Sequence, residues 1–167
     1  MTPEIEYKWL EGDDTACWRA IRGTALRSDP TAFVDEISSF ERRTDSELGH
    51  WLKSHRTFVG MVGPDPVACI SWYQETSPAE VHRGHLTSLF VQPEYRRAGL
   101  ADSLIKRIKA DAAIKILQLE LEVVSTAKIA VALYARHGFQ TIGRIPRATF
   151  HDGTYFEHLA MMCPLDA

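Results

Sequence analysis

The stretch Leu89-Phe90-Val91-Gln92-Pro93-Glu94-Tyr95-Arg96-Arg97-Ala98-Gly99-Leu100-Ala101 decides the fold of this chain. An apolar run ending at Val91 reads as a strand, and Gln92-Pro93 turns it. A basic loop containing Gly99 follows and opens a helix. A helix N-terminus carries backbone N–H groups without intrahelical acceptors, at the positive end of the peptide dipoles. A glycine there lets an anion approach the backbone with no Cβ in the way. The stretch therefore reads as a cradle for a phosphorylated ligand.

Working outward, Gly84 to Val91 is the strand that feeds the loop. The helix beyond it buries Ala101, Leu104, Ile105, Ile108 and Ala112, while Lys106, Arg107 and Lys109 can face water. Leu117, Leu119, Leu121 and Val123 then alternate with Gln118, Glu120 and Glu122, a strand pattern. A strand, helix and strand in this order form a right-handed crossover between parallel neighbours, and ligands bind at the carboxyl ends of such strands. Upstream, Ile5, Tyr7 and Trp9 alternate as a first strand. Asp13, Asp14 or Thr15 can cap a helix carrying Cys17, Ala20, Ile21 and Ala25, which Pro30 ends. Thr31 to Arg43 shows no clear period. Thr44 or Asp45 can cap a helix with Leu48, Trp51 and Leu52 inside. Phe58–Val62 and Val67–Tyr73 form a hairpin across Gly63-Pro64-Asp65-Pro66. Downstream, Ser125 or Thr126 can cap a helix bearing Ala127, Ala130, Leu133 and Tyr134, with Gly138 at its left-handed end. Phe139–Ile145 and Tyr155–Met162 are strands joined through Asp152-Gly153.

With 167 residues, 45% of them hydrophobic and 25% charged, the chain is expected to be one soluble globular domain over 1–167. No run of roughly 20 apolar residues spans a bilayer, and Met1-Thr2-Pro3-Glu4 does not open a signal peptide, so a cytoplasmic location is expected. Cys17, Cys69 and Cys163 fit reduced thiols. A net charge of -3 gives no general attraction to nucleic acid. Residues 83–109 are basic, which suits an anionic ligand. Residues 29–47 are acidic, which suits either a cationic acceptor or a solvated face.

Taken alone, Arg96-x-x-Gly99-x-Ala101 is neither a Walker loop nor a dinucleotide fingerprint. The longer run, with Leu89, Phe90, Val91, Pro93, Glu94, Tyr95, Arg97, Ala98 and Leu100, closely resembles the acyl-CoA-binding motif of the GNAT N-acetyltransferases. Ala130-x-x-Leu133-Tyr134-x-x-x-Gly138-Phe139 and Asp152-Gly153-x-Tyr155 resemble that family's later blocks. The resemblance covers about residues 57–162. It implies a mixed α/β fold: a mostly antiparallel sheet with one splayed parallel pair, about 84–91 and 117–123, flanked by helices. It also implies acetyl transfer from acetyl-CoA, as co-substrate and without a metal, to a small-molecule or protein amine. On this resemblance the amides of Arg96 to Ala101 hold the CoA pyrophosphate, and the Arg96 and Arg97 side chains add charge. The strand Leu89-Phe90-Val91 pairs with the pantetheine arm. The Val91 amide donates to the thioester carbonyl, and Tyr134 protonates the departing thiolate. By periodicity alone, Tyr134 equally fits a buried helical stripe.

Where the family often carries an asparagine, seven residues before the tyrosine, this chain has Ala127. The base is open: His85, whose unperturbed pKa of about 6.5 suits the task, or Glu120, Glu122, Glu157, His158, or water. His82-x-x-His85 places two histidines on opposite strand faces, which is no metal pair. Three readings stand: an N-acetyltransferase, a non-catalytic acyl-CoA-binding sensor or interaction module, and, more weakly, a nucleotide-binding phosphate loop. A homodimer and the acceptor's identity are left open.

Overall fold

The computed structural model describes residues 3–166. The N-terminal expectation for Met1 and Thr2, and the final residue of a 1–167 domain, lie outside the described residues. In chain order the elements are β1 (Glu6–Leu10), α1 (Thr15–Ser28), α2 (Ile37–Glu41), α3 (Asp45–Ser54), β2 (Arg56–Val62), β3 (Asp65–Gln74) and β4 (Arg83–Val91). There follow α4 (Leu100–Ala112), β5 (Gln118–Val124), α5 (Lys128–Arg136), β6 (Gln140–His151) and β7 (Thr154–Pro164). Short 3₁₀ turns occupy Pro30–Ala32 and Pro93–Tyr95.

Hydrogen-bonded strand neighbours follow the order β1-β2-β3-β4-β5-β7-β6. The pairs β1–β2, β2–β3, β5–β7 and β6–β7 are antiparallel, and β4–β5 is parallel. This is the mixed α/β sheet, flanked by helices, that the sequence pattern and the family resemblance imply. The parallel register runs from Arg83↔Gln118 to His85↔Glu120, while β4 continues to Val91 and β5 to Val124.

The chain packs as two compact units: the residues up to Tyr73 with Thr87–Ile108, and Gln74–Leu86 with the residues from Lys109 onward. In the first unit, Val59 pairs with Cys69 across β2–β3. Both join a buried cluster with Trp18, Ile21, Ala25 and Leu26 of α1, Phe40 of α2, Leu48 and Leu52 of α3, and Phe90 of β4. The next pair, Phe58↔Ile70, faces the other way, and the Arg107 guanidinium of α4 lies 5.1 Å from the Phe58 ring. Leu104, Ile105 and Ile108 are fully buried, as their spacing requires. α3 opens on a capping box: Thr44 Oγ1 accepts from the Glu47 amide, and the Glu47 carboxylate accepts from the Thr44 amide. α1 lacks such a cap. The Asp14 carboxylate instead takes the Glu11 amide at 2.7 Å and Lys8 Nζ at 3.2 Å. α2 escaped the sequence pattern because one turn, with Ile37 and Phe40 inside, is too short to show a period.

In the second unit, Leu119↔Cys163, Leu121↔Met161 and Val123↔Leu159 pair buried residues on one face of β5–β7. α5 begins at Lys128 with Ala127 as its N-cap and no side-chain cap bond, so neither Ser125 nor Thr126 serves there. It ends at left-handed Gly138 (φ +88°), where the Phe139 amide donates to the Tyr134 carbonyl and the Gly138 amide to that of Ala135. β6 and β7 are longer than their apolar patterns suggest. Asp152 (φ +47°) and Gly153 (φ +80°) form the two-residue turn that lets pairing run from His151↔Thr154.

Candidate functional site

Within the first unit, β4 departs from regular strand geometry at Ser88, a buried non-glycine residue with φ +61°. Such a conformation costs roughly 1–3 kcal/mol and needs support from its surroundings. Cys69 on β3 supplies it. Its thiol donates to the Ser88 carbonyl at 3.1 Å, and the Phe90 amide donates to the same sulfur. Burial pushes the Cys69 thiol up to about 12, so it acts as a neutral hydrogen-bonding group and not as a nucleophile. Beyond the irregularity, the Gln92 amide donates to the Val67 carbonyl at 2.9 Å and holds the strand end to β3.

The loop itself alternates in hand. Arg97 (φ +65°) and Gly99 (φ +80°) are left-handed, and Ala98 between them is not. Alternation of this kind turns successive backbone N–H groups toward one side, an anion-binding nest. The Gly99 carbonyl accepts the first helical bond of α4, from Ser103 at 3.0 Å. The Leu100 and Ala101 amides therefore head the helix with no intrahelical acceptor. A Cβ built at Gly99 meets nothing within 4 Å, so its surroundings are open. These residues fit a phosphate through backbone donors.

Arg96 does not extend its side chain into that cradle. Its Nε donates to the Val91 carbonyl at 2.8 Å, its Nη2 to Asp29 at 2.9 Å, and its guanidinium lies 5.6 Å from the Phe90 ring. Arg96 thus ties the loop to the end of β4 and does not supply free charge. Arg97 is exposed.

The acidic stretch is also committed. Asp29 pairs with Arg96, Asp35 with both Arg22 and Arg43, Glu41 with Arg27 and Asp45 with Arg19, while Glu47 caps α3. Arginine neutralises most of this face, which removes the reason to read it as an attractor of cations.

In the second unit, Tyr134 is buried on α5 with its ring edge-on to Phe139 at 5.7 Å. Burial raises its pKa strongly, so the phenol keeps its proton across the physiological range. His85 on β4 meets Glu75: Nε2 lies 2.6 Å from Oε1. Arg83 grips Glu120 through two bonds of 2.6 and 2.8 Å. That grip, with a further bond from Gln118, holds the Glu120 carboxyl below its ordinary range. Glu120 is therefore no candidate base, its oxygens being already occupied by donors. Glu122 Oε2 lies 3.3 Å from His158 Nδ1, His158 Nε2 lies 3.2 Å from Thr149 Oγ1, and Glu157 pairs with Arg144. Among the described residues no group of three His, Cys, Asp or Glu side chains could hold a metal.

Sequence reading gave no role to Ser88 or Glu75, took Cys69 only as a reduced thiol, and counted Asp29 only within the acidic stretch. Ser88 is a polar residue in an apolar run, the one local hint of the β4 irregularity. The others act through partners distant in sequence and leave no local pattern.

Comparisons with known proteins bear on the family and the fold. The family model described as Acetyltransferase (GNAT) family matches residues 17–139. A thialysine N-epsilon-acetyltransferase from Caenorhabditis elegans is 28% identical over 112 residues, covering 62% of this chain and 70% of that protein. The structure of a GNAT-family acetyltransferase from Streptococcus pneumoniae superposes with a TM-score of 0.84 at 19% identity, covering 96% of this chain and 99% of that one. That of yncA from Salmonella typhimurium, solved with its cofactor acetyl-CoA, gives 0.83 at 15% identity, covering 98% and 95%. The chain belongs to the GNAT acetyltransferase family.

Proposed function

We propose that residues 1–167 act as one N-acetyltransferase domain that moves an acetyl group from acetyl-CoA to a primary amine by direct attack in a ternary complex. The observation that carries this reading is the nest at Arg97 to Gly99 leading directly into the α4 N-terminus, just beyond the supported irregularity of β4. The relative from Caenorhabditis elegans, named for an N-epsilon amine, and the acetyl-CoA bound to the Salmonella typhimurium protein support the same choice of substrates.

In this reading the amides of Arg96 to Ala101 bind the pyrophosphate, and the backbone of Leu89, Phe90 and Val91 pairs with the pantetheine arm. The Val91 amide donates to the thioester carbonyl, and a donor so placed contributes on the order of 3 kcal/mol. The amine nitrogen bonds to the acetyl carbon, the carbon–sulfur bond breaks, and the thiolate takes the Tyr134 proton. His85 takes the proton lost by the amine, and the adjacent Glu75 carboxylate stabilises the resulting imidazolium. Ala127 offers no side-chain hydrogen bond, so α5 makes no amide-type contact to the CoA arm at that position.

Amine-dependent release of CoA thiol from acetyl-CoA tests the proposal. Turnover of at least one primary amine is the expected result. Tight acetyl-CoA binding without release, across a broad amine panel, would favour the sensor. Arg96→Ala is expected to weaken acetyl-CoA binding about tenfold, the cost of one charge-assisted hydrogen bond. Its salt dependence should stay that of the parent, because the guanidinium holds Val91 and Asp29. Calorimetric titration at two ionic strengths checks both points.

A further inference from the structure

We propose that Arg22 receives a carboxylate on the acceptor, so that the amine substrate is an amino acid or another amine bearing a carboxylate. This rests on the reading of the chain as an amine acetyltransferase. Arg22 lies midway along α1 and is 6% exposed. Its Nη2 reaches Asp35 at 3.2 Å, while Nη1 is buried with no partner among the described residues. Asp35 is shared, since Arg43 holds its other oxygen at 3.2 Å. Two guanidinium groups thus face one carboxylate, and the buried one keeps an unfilled nitrogen. Aromatic rings wall it in: Phe33 lies 4.5 Å and Trp18 5.9 Å from the guanidinium carbon. In such surroundings an excess positive charge is poorly solvated, and an anion is the partner that completes it.

A second unfilled donor lies in the same unit. Ser88 Oγ is buried without a partner among the described residues, at the left-handed position of β4. The Cys69 thiol donates to the Ser88 carbonyl beside it. A guanidinium N–H pair suits a carboxylate, whose oxygens accept several hydrogen bonds. Arginine's planar fork serves here better than a lysine point charge. Phe33 belongs to the irregular chain between the Pro30–Ala32 turn and α2.

The test compares lysine, lysinamide and cadaverine, an amine series with and without the carboxylate. Thiol release from acetyl-CoA and the shift of melting temperature with CoA bound are read for each. The parent should favour lysine at least about tenfold in kcat/KM or in binding. Arg22→Gln should bring the three to parity through KM, leaving the KM for acetyl-CoA and the rate with lysinamide unchanged. If Arg22→Gln does not fold, Arg22→Lys decides, with the preference reduced several-fold. Equal treatment of the three by the parent, or a preference that survives in the folded variant, overturns the proposal. Binding of lysine over lysinamide without any acetylation would retain the carboxylate site and overturn the transferase reading instead.

Discussion

Gly99→Val is expected to lower acetyl-CoA affinity by about a hundredfold or more, close to 3 kcal/mol, while the protein stays folded. Gly99 sits at φ +80°, where a β-branched residue is disfavoured by roughly 1–3 kcal/mol. The loop would relax toward negative φ, and the alternation with Arg97 that turns the amides to one side would be lost. Steric collision is not the cause, since a Cβ there meets nothing within 4 Å. The damage is thus confined to backbone conformation and to what the loop holds. Gly63 provides the control: it lies in the β2–β3 turn at φ +56°, also with nothing within 4 Å of a Cβ. Gly63→Val should lose comparable stability in thermal melts and bind acetyl-CoA as the parent does. A Gly99→Val protein that binds acetyl-CoA normally would remove the basis for the pyrophosphate assignment.

Tyr134→Phe is expected to reduce kcat by about a hundredfold or more, the scale of general-acid catalysis by a placed side chain. The KM for acetyl-CoA should change little, because the variant lacks only the phenol hydroxyl. Ring packing against Phe139 is kept, so the melting temperature near neutrality should barely move. The pH behaviour has a definite sign. Burial raises the Tyr134 pKa above its unfolded value of about 10. The native state therefore holds a proton that the unfolded state has released above that pH, and the stabilisation is lost as pH rises through the alkaline range. Tyr134→Phe removes that sensitivity, so the variant should hold its melting temperature better than the parent above about pH 10. In the parent, thiol release should show no alkaline fall from loss of the Tyr134 proton below that range. Unchanged turnover in Tyr134→Phe would assign the proton to another donor.

The sheet was legible because its strands alternate cleanly. Leu119, Leu121 and Val123 point one way and Glu120 and Glu122 the other, and the register with β7 keeps each buried residue opposite another. The strand–loop–helix order around Gly99 was legible for a similar reason: glycine, proline and apolar period are local signals. What stayed hidden depends on distance along the chain. Asp29 and Arg96 are separated by 67 positions, and their pairing turns an expected phosphate ligand into a brace for the loop. The acidic run from 29 to 47 read as either a cationic acceptor's surface or a solvated face because its arginine partners, such as Arg19, Arg22 and Arg27, lie on a different element. Arg22 itself follows Trp18 by one helical turn, and Phe33 and Asp35, both beyond α1, pack against it. The left-handed Ser88 left only the hint of a polar residue in an apolar run, because its support comes from Cys69 on the neighbouring strand.

The most direct measurement follows an isotopic label. Acetyl-CoA carrying ¹³C in its acetyl group is mixed with the protein and primary amines, and both products and protein are weighed by mass spectrometry. The account predicts the label in an amide of the acceptor, equimolar CoA thiol and no label on the protein. Label retained on the protein, or no acetylated amine from any acceptor while acetyl-CoA stays tightly bound, would contradict it.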